Sequence, residues 1–196
     1  MNSIKKIRLN NLCIVAGCGL IIGALVLLVF WYASAAVYET RCEEYVDTLN
    51  EILPDTQNAA PEKRLNNTMP ILAAKEKDFV ALLEFPAFGS TLPVCNDWGK
   101  PNAYPCRFTG SVYNNTLVIG SSDRKGQMDY VKELSVGDSL YITDMTGNRY
   151  TYQISDILIS KDVDRDTLCS SDAHLTIFVK HSMNFEYTIL RCDVKA

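Results

Sequence analysis

The amino-terminal part of the chain carries an apolar run with no charged residue from position 12 to position 37. A helix needs about 20 apolar residues to cross the hydrocarbon core of a bilayer, and this run exceeds that length. Lys5, Lys6 and Arg8 precede the run, whereas all 23 acidic residues follow it. Because basic residues favour the cytoplasmic side, we predict a cytoplasmic tail over residues 1–11, a transmembrane helix over 12–37 and an outward-facing remainder.

A cleaved signal peptide is the alternative interpretation of the same segment, because Ala33, Ser34 and Ala35 resemble a small-residue cleavage site. The apolar region of a signal peptide usually covers about 7 to 15 residues. The longer run favours an anchor that is retained.

The outward-facing remainder is acidic, because it carries all 23 Asp and Glu residues but 16 of the 19 Lys and Arg residues. Nucleic acids and anionic lipids bind to clustered positive charge. The sequence therefore predicts no nucleic-acid partner. We expect the chain to contact the membrane only through the anchor.

Residues 38–78 are predicted to form a helical stalk and linker. Apolar side chains first recur at helical spacing, at Cys42, Tyr45, Val46, Leu49 and Ile52. Pro54 ends this pattern, and the residues that follow are rich in Asn, Pro and Ala with little periodicity.

The chain from position 79 onward has the pattern of a mostly β domain with one or two short helices. Strands are predicted over 79–85, 91–94, 117–120 and 139–143, with a short helix at 128–134. Tyr150, Tyr152 and Ile154 alternate with polar residues on a further strand. Residues 144–148 are predicted as a hairpin turn in which Gly147 can adopt a positive φ.

Two motifs in this domain resemble those of the sortase family. Sortases have a strand that ends in Gly-His-Asn, whereas here Leu117, Val118 and Ile119 are followed by Gly120 and Ser121, so the histidine position falls on Ser122. This first motif retains the strand of the family but lacks its histidine.

The second motif is a sortase strand of the form Leu-Thr-Leu-Phe-Thr-Cys, followed by an arginine and a closing Val-Arg-Cys strand. The chain has the strand at 175–180 and the closing Leu-Arg-Cys at 190–192. The cysteine position falls on Lys180 and the arginine position on Tyr187. All three catalytic positions of the family are substituted.

The resemblance implies a sortase-like closed β-barrel over residues 79–196, anchored at the amino terminus in the membrane of a Gram-positive bacterium. With the catalytic residues absent, it implies a non-catalytic role without a cofactor. The expected partner is a sorting-signal-like peptide, a pilin or another surface protein, or an active sortase.

An active enzyme with a displaced nucleophile is the alternative. Ser122 and Lys180 would face each other across the cleft, and Ser/Lys dyads catalyse acyl transfer when the lysine is desolvated. Cys169 and His174 are the other local pair that could meet.

Five cysteines lie outside the apolar run, at positions 42, 95, 106, 169 and 192. An odd number leaves at least one thiol unpaired within the chain, and the sequence does not fix the connectivity. The resemblance suggests Cys106 and Cys192 as a structural pair.

The loop over residues 160–173 is acidic, with aspartates at positions 162, 164, 166 and 172. Alternating carboxylates suit calcium, but the glycine and terminal glutamate of an EF-hand loop are absent. A solvated loop without a metal is the prediction.

Overall fold

The computed structural model of the protein describes residues 2–59, 67–99, 104–125, 127–169 and 172–195. The chain divides into two compact units, Met1–Val37 and Tyr38–Ala196.

The first unit consists of the greater part of helix α1, which spans Asn2–Ile52. Its apolar side chains are exposed, among them Leu20, Leu27 and Phe30. In the described part of the chain, α1 is the one helix long and apolar enough to cross a membrane. The predicted amino-terminal apolar helix is confirmed as a candidate membrane span.

Among its described residues, the second unit contains ten strands and a few short helices. The strands are β1 Gln57–Asn58, β2 Leu72–Ala74, β3 Lys77–Phe85, β4 Ser90–Cys95, β5 Cys106–Thr109, β6 Leu117–Ser122, β7 Ser139–Asp144, β8 Asn148–Ser160, β9 Leu175–Lys180 and β10 Tyr187–Val194. Helix α2 spans Arg165–Cys169, and 3₁₀ turns span Pro86–Phe88, Val112–Asn114 and Asp129–Glu133.

Strands β3 to β10 close into an eight-stranded barrel. The order of neighbours is β3, β4, β5, β6, β9, β10, β8 and β7, and β7 returns to β3. Two pairs in this circuit are parallel, β4 with β5 and β6 with β9. The predicted closed β-barrel is confirmed.

The barrel interior is filled by alternate residues of each strand. On β9, Leu175, Ile177 and Val179 belong to the main core cluster, whereas Phe178 belongs to a separate cluster on the outer face. Tyr150 and Tyr152 on β8 are also buried in the core, as the alternation in the sequence predicts.

Two predicted elements differ from the structure in detail. The helix expected at 128–134 is a 3₁₀ helix over Asp129–Glu133. The region expected to be an acidic loop is partly regular, because β8 extends to Ser160 and α2 forms at Arg165–Cys169. Asp164 accepts a hydrogen bond from the Thr167 amide at 2.6 Å, which satisfies one free amide at the start of α2.

The segment predicted as a stalk and linker packs on the barrel where it is described. Cys42, Val46 and Leu49 of α1 are buried, and the ring of Tyr45 lies 5.1 Å from that of Phe79 on β3. Strand β2 pairs with β3, and β1 pairs with β8. Residues 38–59 and 67–78 therefore form one compact unit with the barrel.

The suggested pairing of Cys106 with Cys192 is wrong. Cys106 lies on β5 and Cys192 on β10, with β6 and β9 between them. Three strand spacings amount to roughly 14 Å along the sheet, whereas a disulfide requires Cα atoms within about 7 Å. The sequence spacing carried no information about which strands separate the two residues.

The turn between β7 and β8 is organised by the buried carboxylate of Asp144. One oxygen accepts hydrogen bonds from the hydroxyls of Tyr113 at 2.8 Å and Tyr150 at 3.2 Å. The other accepts from the Thr146 hydroxyl at 2.6 Å, the Thr146 amide at 2.9 Å and the Asn148 amide at 3.1 Å. Burial by itself would raise the pKa of Asp144, but these hydrogen bonds outweigh it and lower the pKa.

Gly147 occupies the end of this turn with φ of 82°. A Cβ at this position would lie 2.9 Å from the carbonyl oxygen of Pro54. The predicted positive φ is confirmed, and the close approach of the α1–β1 connection is a second reason for glycine.

Replacing Asp144 with Asn should lower the free energy of unfolding at neutral pH by about 2 kcal/mol, because buried donors lose a charged acceptor. Since the pKa of Asp144 is lowered in the folded state, its contribution is present above the ordinary carboxyl pKa of about 4 and disappears as the pH falls through the folded value. Urea unfolding of parent and variant from pH 7 to pH 3 measures this difference.

The difference in stability between parent and variant should shrink toward acid pH. A difference that stays constant over this range would contradict the role assigned to the carboxylate. Asp162→Asn, at an exposed position after β8, is the matched control and should change stability little.

Candidate functional site

Three strand ends meet at one end of the barrel. Strand β6 ends at Ser122, β9 ends at Lys180 and β10 begins at Tyr187. The parallel register aligns Ser122 with Lys180, and the antiparallel register aligns Tyr187 with Lys180. Because register partners on neighbouring strands point to the same face, with Cβ atoms about 5 Å apart, the three side chains form one group.

These are the positions at which the sortase resemblance places histidine, cysteine and arginine. The structure brings all three together on the outer face of the barrel. Lys180 is exposed, Tyr187 is half-buried and Ser122 is buried. The hydroxyl of Ser122 has no hydrogen-bond partner among the described residues.

A Ser/Lys dyad requires a hydroxyl hydrogen-bonded to a lysine that is shielded from water. Ser122 and Lys180 are neighbours, but no hydrogen bond joins them in the described part of the chain. The side chain of Lys180 also faces solvent. Ser122 and Lys180 are therefore as close as a dyad requires, but they lack its hydrogen bond and its shielding from water.

Cys169 and His174 do not form a pair in the part of the chain that is described. The Nδ1 atom of His174 lies 3.0 Å from a carboxylate oxygen of Asp193, and Cys169 is exposed on α2. Residues 170 and 171, which connect them, lie outside the described residues.

The second histidine, His181, is buried directly behind the three-residue group. Its Nδ1 atom lies 3.1 Å from Asp123, and its Nε2 atom lies 2.8 Å from the hydroxyl of Thr188. Asp123 also accepts hydrogen bonds from the amide and hydroxyl of Ser182. Burial would raise the pKa of Asp123, but the hydrogen bonds from Ser182 and His181 outweigh it and lower the pKa.

This network ties the end of β6 to the turn between β9 and β10. Asp123 follows Ser122, and His181 follows Lys180, so the network fixes the two strand ends side by side. The sequence shows a polar residue directly after each strand, Asp123 after β6 and His181 after β9, but it does not indicate that the two residues are in contact.

Beside the three-residue group lies an apolar cluster on the outer face of the barrel. Val118, Phe178 and Ile189 form its buried floor together with Leu168 of α2. Trp98 packs on this floor, with its ring 5.0 Å from that of Phe108 and 5.3 Å from that of Phe178. We call these residues the outer-face cluster.

The indole of Trp98 sits directly over Gly120 of β6. A Cβ at this position would lie 2.1 Å from the indole Cζ3 atom and 2.5 Å from the Phe178 ring. Glycine inside a strand often marks such a close approach. The sequence therefore held a signal for this contact, although not for the identity of the partner.

Helix α2 is held against the outer face by the buried guanidinium of Arg191. It donates hydrogen bonds to the Leu168 carbonyl at 3.1 Å and to the Thr176 hydroxyl at 2.9 Å, and also to the Thr167 carbonyl. Nothing in the sequence indicated this role for Arg191, because the helix that it anchors was predicted as a loop. Arg191 thereby supports the wall of the outer-face cluster.

Within the described residues, no group of three or more His, Cys, Asp and Glu side chains is placed to hold a metal ion. The chemistry available at the three-residue group is one hydroxyl, one amine and one phenol.

No model of a known protein family matches the chain, and no curated protein matches it significantly. Solved structures do match. A sortase D5 transpeptidase from Clostridium perfringens superimposes with a TM-score of 0.52 at 18% identity, over 60% of this chain and 79% of that one. Sortase A from Corynebacterium diphtheriae, as a lid mutant, gives 0.53 at 16% identity, over 62% and 73%.

Sortase C from Clostridium perfringens, solved with a C-terminal cell wall sorting motif, gives a TM-score of 0.51 at 17% identity, over 62% of this chain and 73% of that one. Together these similarities establish that the barrel has the sortase fold. At this level of identity they carry the fold and not the activity.

Replacing Gly120 with Ala should destabilise the barrel by about 1 to 3 kcal/mol, the usual cost of overpacking, because the new methyl group would overlap Trp98 and Phe178. Urea unfolding measures the loss. In the Trp98→Ala background the same substitution should cost less, since one of the two overlapping rings is gone.

Equal costs of Gly120→Ala in both backgrounds would contradict the packing of Trp98 on β6. Gly137→Ala is unsuitable as a control because Gly137 has φ of 101°. Ser135→Ala, next to the turn before β7, changes a site remote from the cluster and reports only general effects of substitution.

Proposed function

We propose that the protein is a membrane-anchored, extracytoplasmic sortase-like protein that lacks transpeptidase activity and binds a sorting-signal-like peptide of a surface protein or pilin. The observation that supports this most directly is the group formed by Ser122, Lys180 and Tyr187. It occupies adjoining strand ends of a sortase fold and contains no thiol, imidazole or guanidinium.

Sortase-type acyl transfer needs a thiolate nucleophile, a group that moves the proton and a cation that stabilises the oxyanion. Lys180 offers no thiol, Ser122 is a poor proton acceptor near neutral pH, and the phenol of Tyr187 lacks the positive charge of a guanidinium. The proposal therefore assigns this end of the barrel to recognition.

The surface beside the group has the composition of a peptide site. Small ligand sites combine apolar and aromatic walls with a few polar groups that fix orientation. Here the half-buried rings of Trp98, Phe108 and Tyr187 adjoin the exposed ammonium of Lys180. An extended peptide can place apolar side chains on the rings and an acidic or carbonyl group beside Lys180.

The proposed orientation has the amino terminus in the cytoplasm and the barrel outside, at the surface of a Gram-positive bacterium. It follows from the basic residues before the apolar run and the acidic residues after it. An active sortase that processes the same peptide is the expected neighbour in the membrane.

The test uses the full-length protein in detergent micelles and fluorescent peptides that carry sorting signals of surface proteins and pilins. Fluorescence anisotropy measures affinity, and gel electrophoresis followed by hydroxylamine treatment detects any acyl-enzyme. We expect saturable binding without a covalent adduct. Lys180→Ala and Tyr187→Ala should each weaken binding roughly 5- to 10-fold, the effect of losing about 1 kcal/mol of contact.

Matched controls are available on the same barrel. Lys132→Ala removes another exposed lysine, and Tyr141→Ala removes another half-buried tyrosine on β7; both should bind as the parent does. Equal weak binding by the parent and by all four variants would count against the peptide site. A hydroxylamine-sensitive adduct that disappears in Ser122→Ala would establish an active acyl transferase.

A further inference from the structure

Three of the cysteines lie together at the junction of helix α1 with strands β4 and β5. Cys42, Cys95 and Cys106 are buried in one cluster with Phe79 and Tyr104. Cys95 is the last residue of β4 and Cys106 the first of β5, and the two are register partners in the short parallel pairing of these strands.

The geometry of Cys95 and Cys106 suits a disulfide. Register partners on neighbouring strands have Cα atoms about 4.8 Å apart, within the range of roughly 4.4 to 6.8 Å found in disulfides. Register partners on neighbouring strands direct their side chains to the same face, and the Cys106 thiol donates a hydrogen bond to the carbonyl oxygen of Tyr104 at 3.3 Å. Backbone movement is not needed to bring them into contact.

The two thiols differ in their surroundings. Cys95 is the more exposed of the two, at 6% against 2% for Cys106, and the Cys106 thiol is engaged by the Tyr104 carbonyl. The neighbouring Cys106 and the ammonium of Lys77 lower the pKa of Cys95, whereas burial and the carboxylate of Asp97 act in the opposite direction. We therefore assign Cys95 as the attacking thiol, because the thiolate is the reactive form.

A cavity of about 280 Å³ gives access to the pair. It is lined by Glu76, Lys77, Asp78 and Asp97 and by both cysteines. The other buried thiol of the barrel, Cys192, lies inside the main core. Cys95 and Cys106 can thus be reached through the cavity, whereas Cys192 is enclosed by the core.

We propose that Cys95 and Cys106 form a disulfide by thiol–disulfide exchange with a protein disulfide oxidant. The Cys95 thiolate attacks one sulfur of the oxidant, giving a mixed disulfide and releasing one thiol. Cys106 loses its proton and attacks the Cys95 sulfur, which forms the intramolecular disulfide and releases the second thiol. Two cysteine thiols are oxidised and one disulfide of the oxidant is reduced to two thiols.

The disulfide would close a loop that carries Trp98, the residue that covers Gly120 in the outer-face cluster. It would tie the first residue of β5 to the last residue of β4 and so restrain the segment from which Trp98 projects. The inference stands independently of peptide binding, because it concerns the chemistry of the two thiols alone.

The test is a redox titration of the full-length protein in detergent micelles, with mixtures of reduced and oxidised glutathione as the probe. After trapping with N-ethylmaleimide, a protease that cleaves before aspartate separates the two cysteines at Asp97. We expect peptide 78–96 linked to peptide 97–122, with a mass about 2 Da below the sum of the reduced peptides. Reduction should release both.

Cys106→Ser should abolish the linked species, whereas Cys42→Ser and Cys169→Ser should retain it. Circular dichroism verifies that each variant is folded. Absence of the linked species from the folded parent at every glutathione ratio would overturn the proposal, as would linkage of Cys95 to Cys42 in its place.

Discussion

The parallel pairing of β6 with β9 is the contact on which the rest of the barrel depends. It aligns Ser122 with Lys180 and, through β10, Tyr187 with Lys180. The same register places Leu175, Ile177 and Val179 in the core. A slip of one residue would turn Val179 outward and Lys180 into the core, so the buried residues of β9 fix the register that places the group at the strand ends. The arrangement of Ser122, Lys180 and Tyr187 therefore does not require a thiol, an imidazole or a guanidinium at these positions.

An apolar cluster and the short helix α2 cover the outer face of the barrel beside Ser122, Lys180 and Tyr187. Trp98 packs over Gly120 and against Phe178, and Arg191 holds α2 over the same face. Behind the strand ends, Asp123 and His181 join β6 to the β9–β10 turn. At the same end Lys180 is exposed and Tyr187 half-buried, beside the Ser122 hydroxyl, which has no hydrogen-bond partner among the described residues.

Much of the fold could be predicted from the sequence because alternation and turn residues report local structure directly. The strands around Leu117 and Leu175 and the positive φ of Gly147 follow from such local signals. Contacts between distant segments have no such signal. The pairing of Cys95 with Cys106, the Asp123–His181 contact and the anchoring of α2 by Arg191 all depend on which strands are neighbours, and the mistaken pairing of Cys106 with Cys192 arose from the same gap.

Positions 122 and 180 stand side by side at the adjoining ends of β6 and β9, where a catalytic pair could form. A direct measurement compares Lys180→Cys alone with Lys180→Cys combined with Ser122→His, following the rate of iodoacetamide alkylation at position 180 against pH. An adjacent imidazole lowers the pKa of a thiol, so the double variant should react several-fold faster at pH 6 to 7. Identical rate profiles for two folded variants would show that these positions do not share a site.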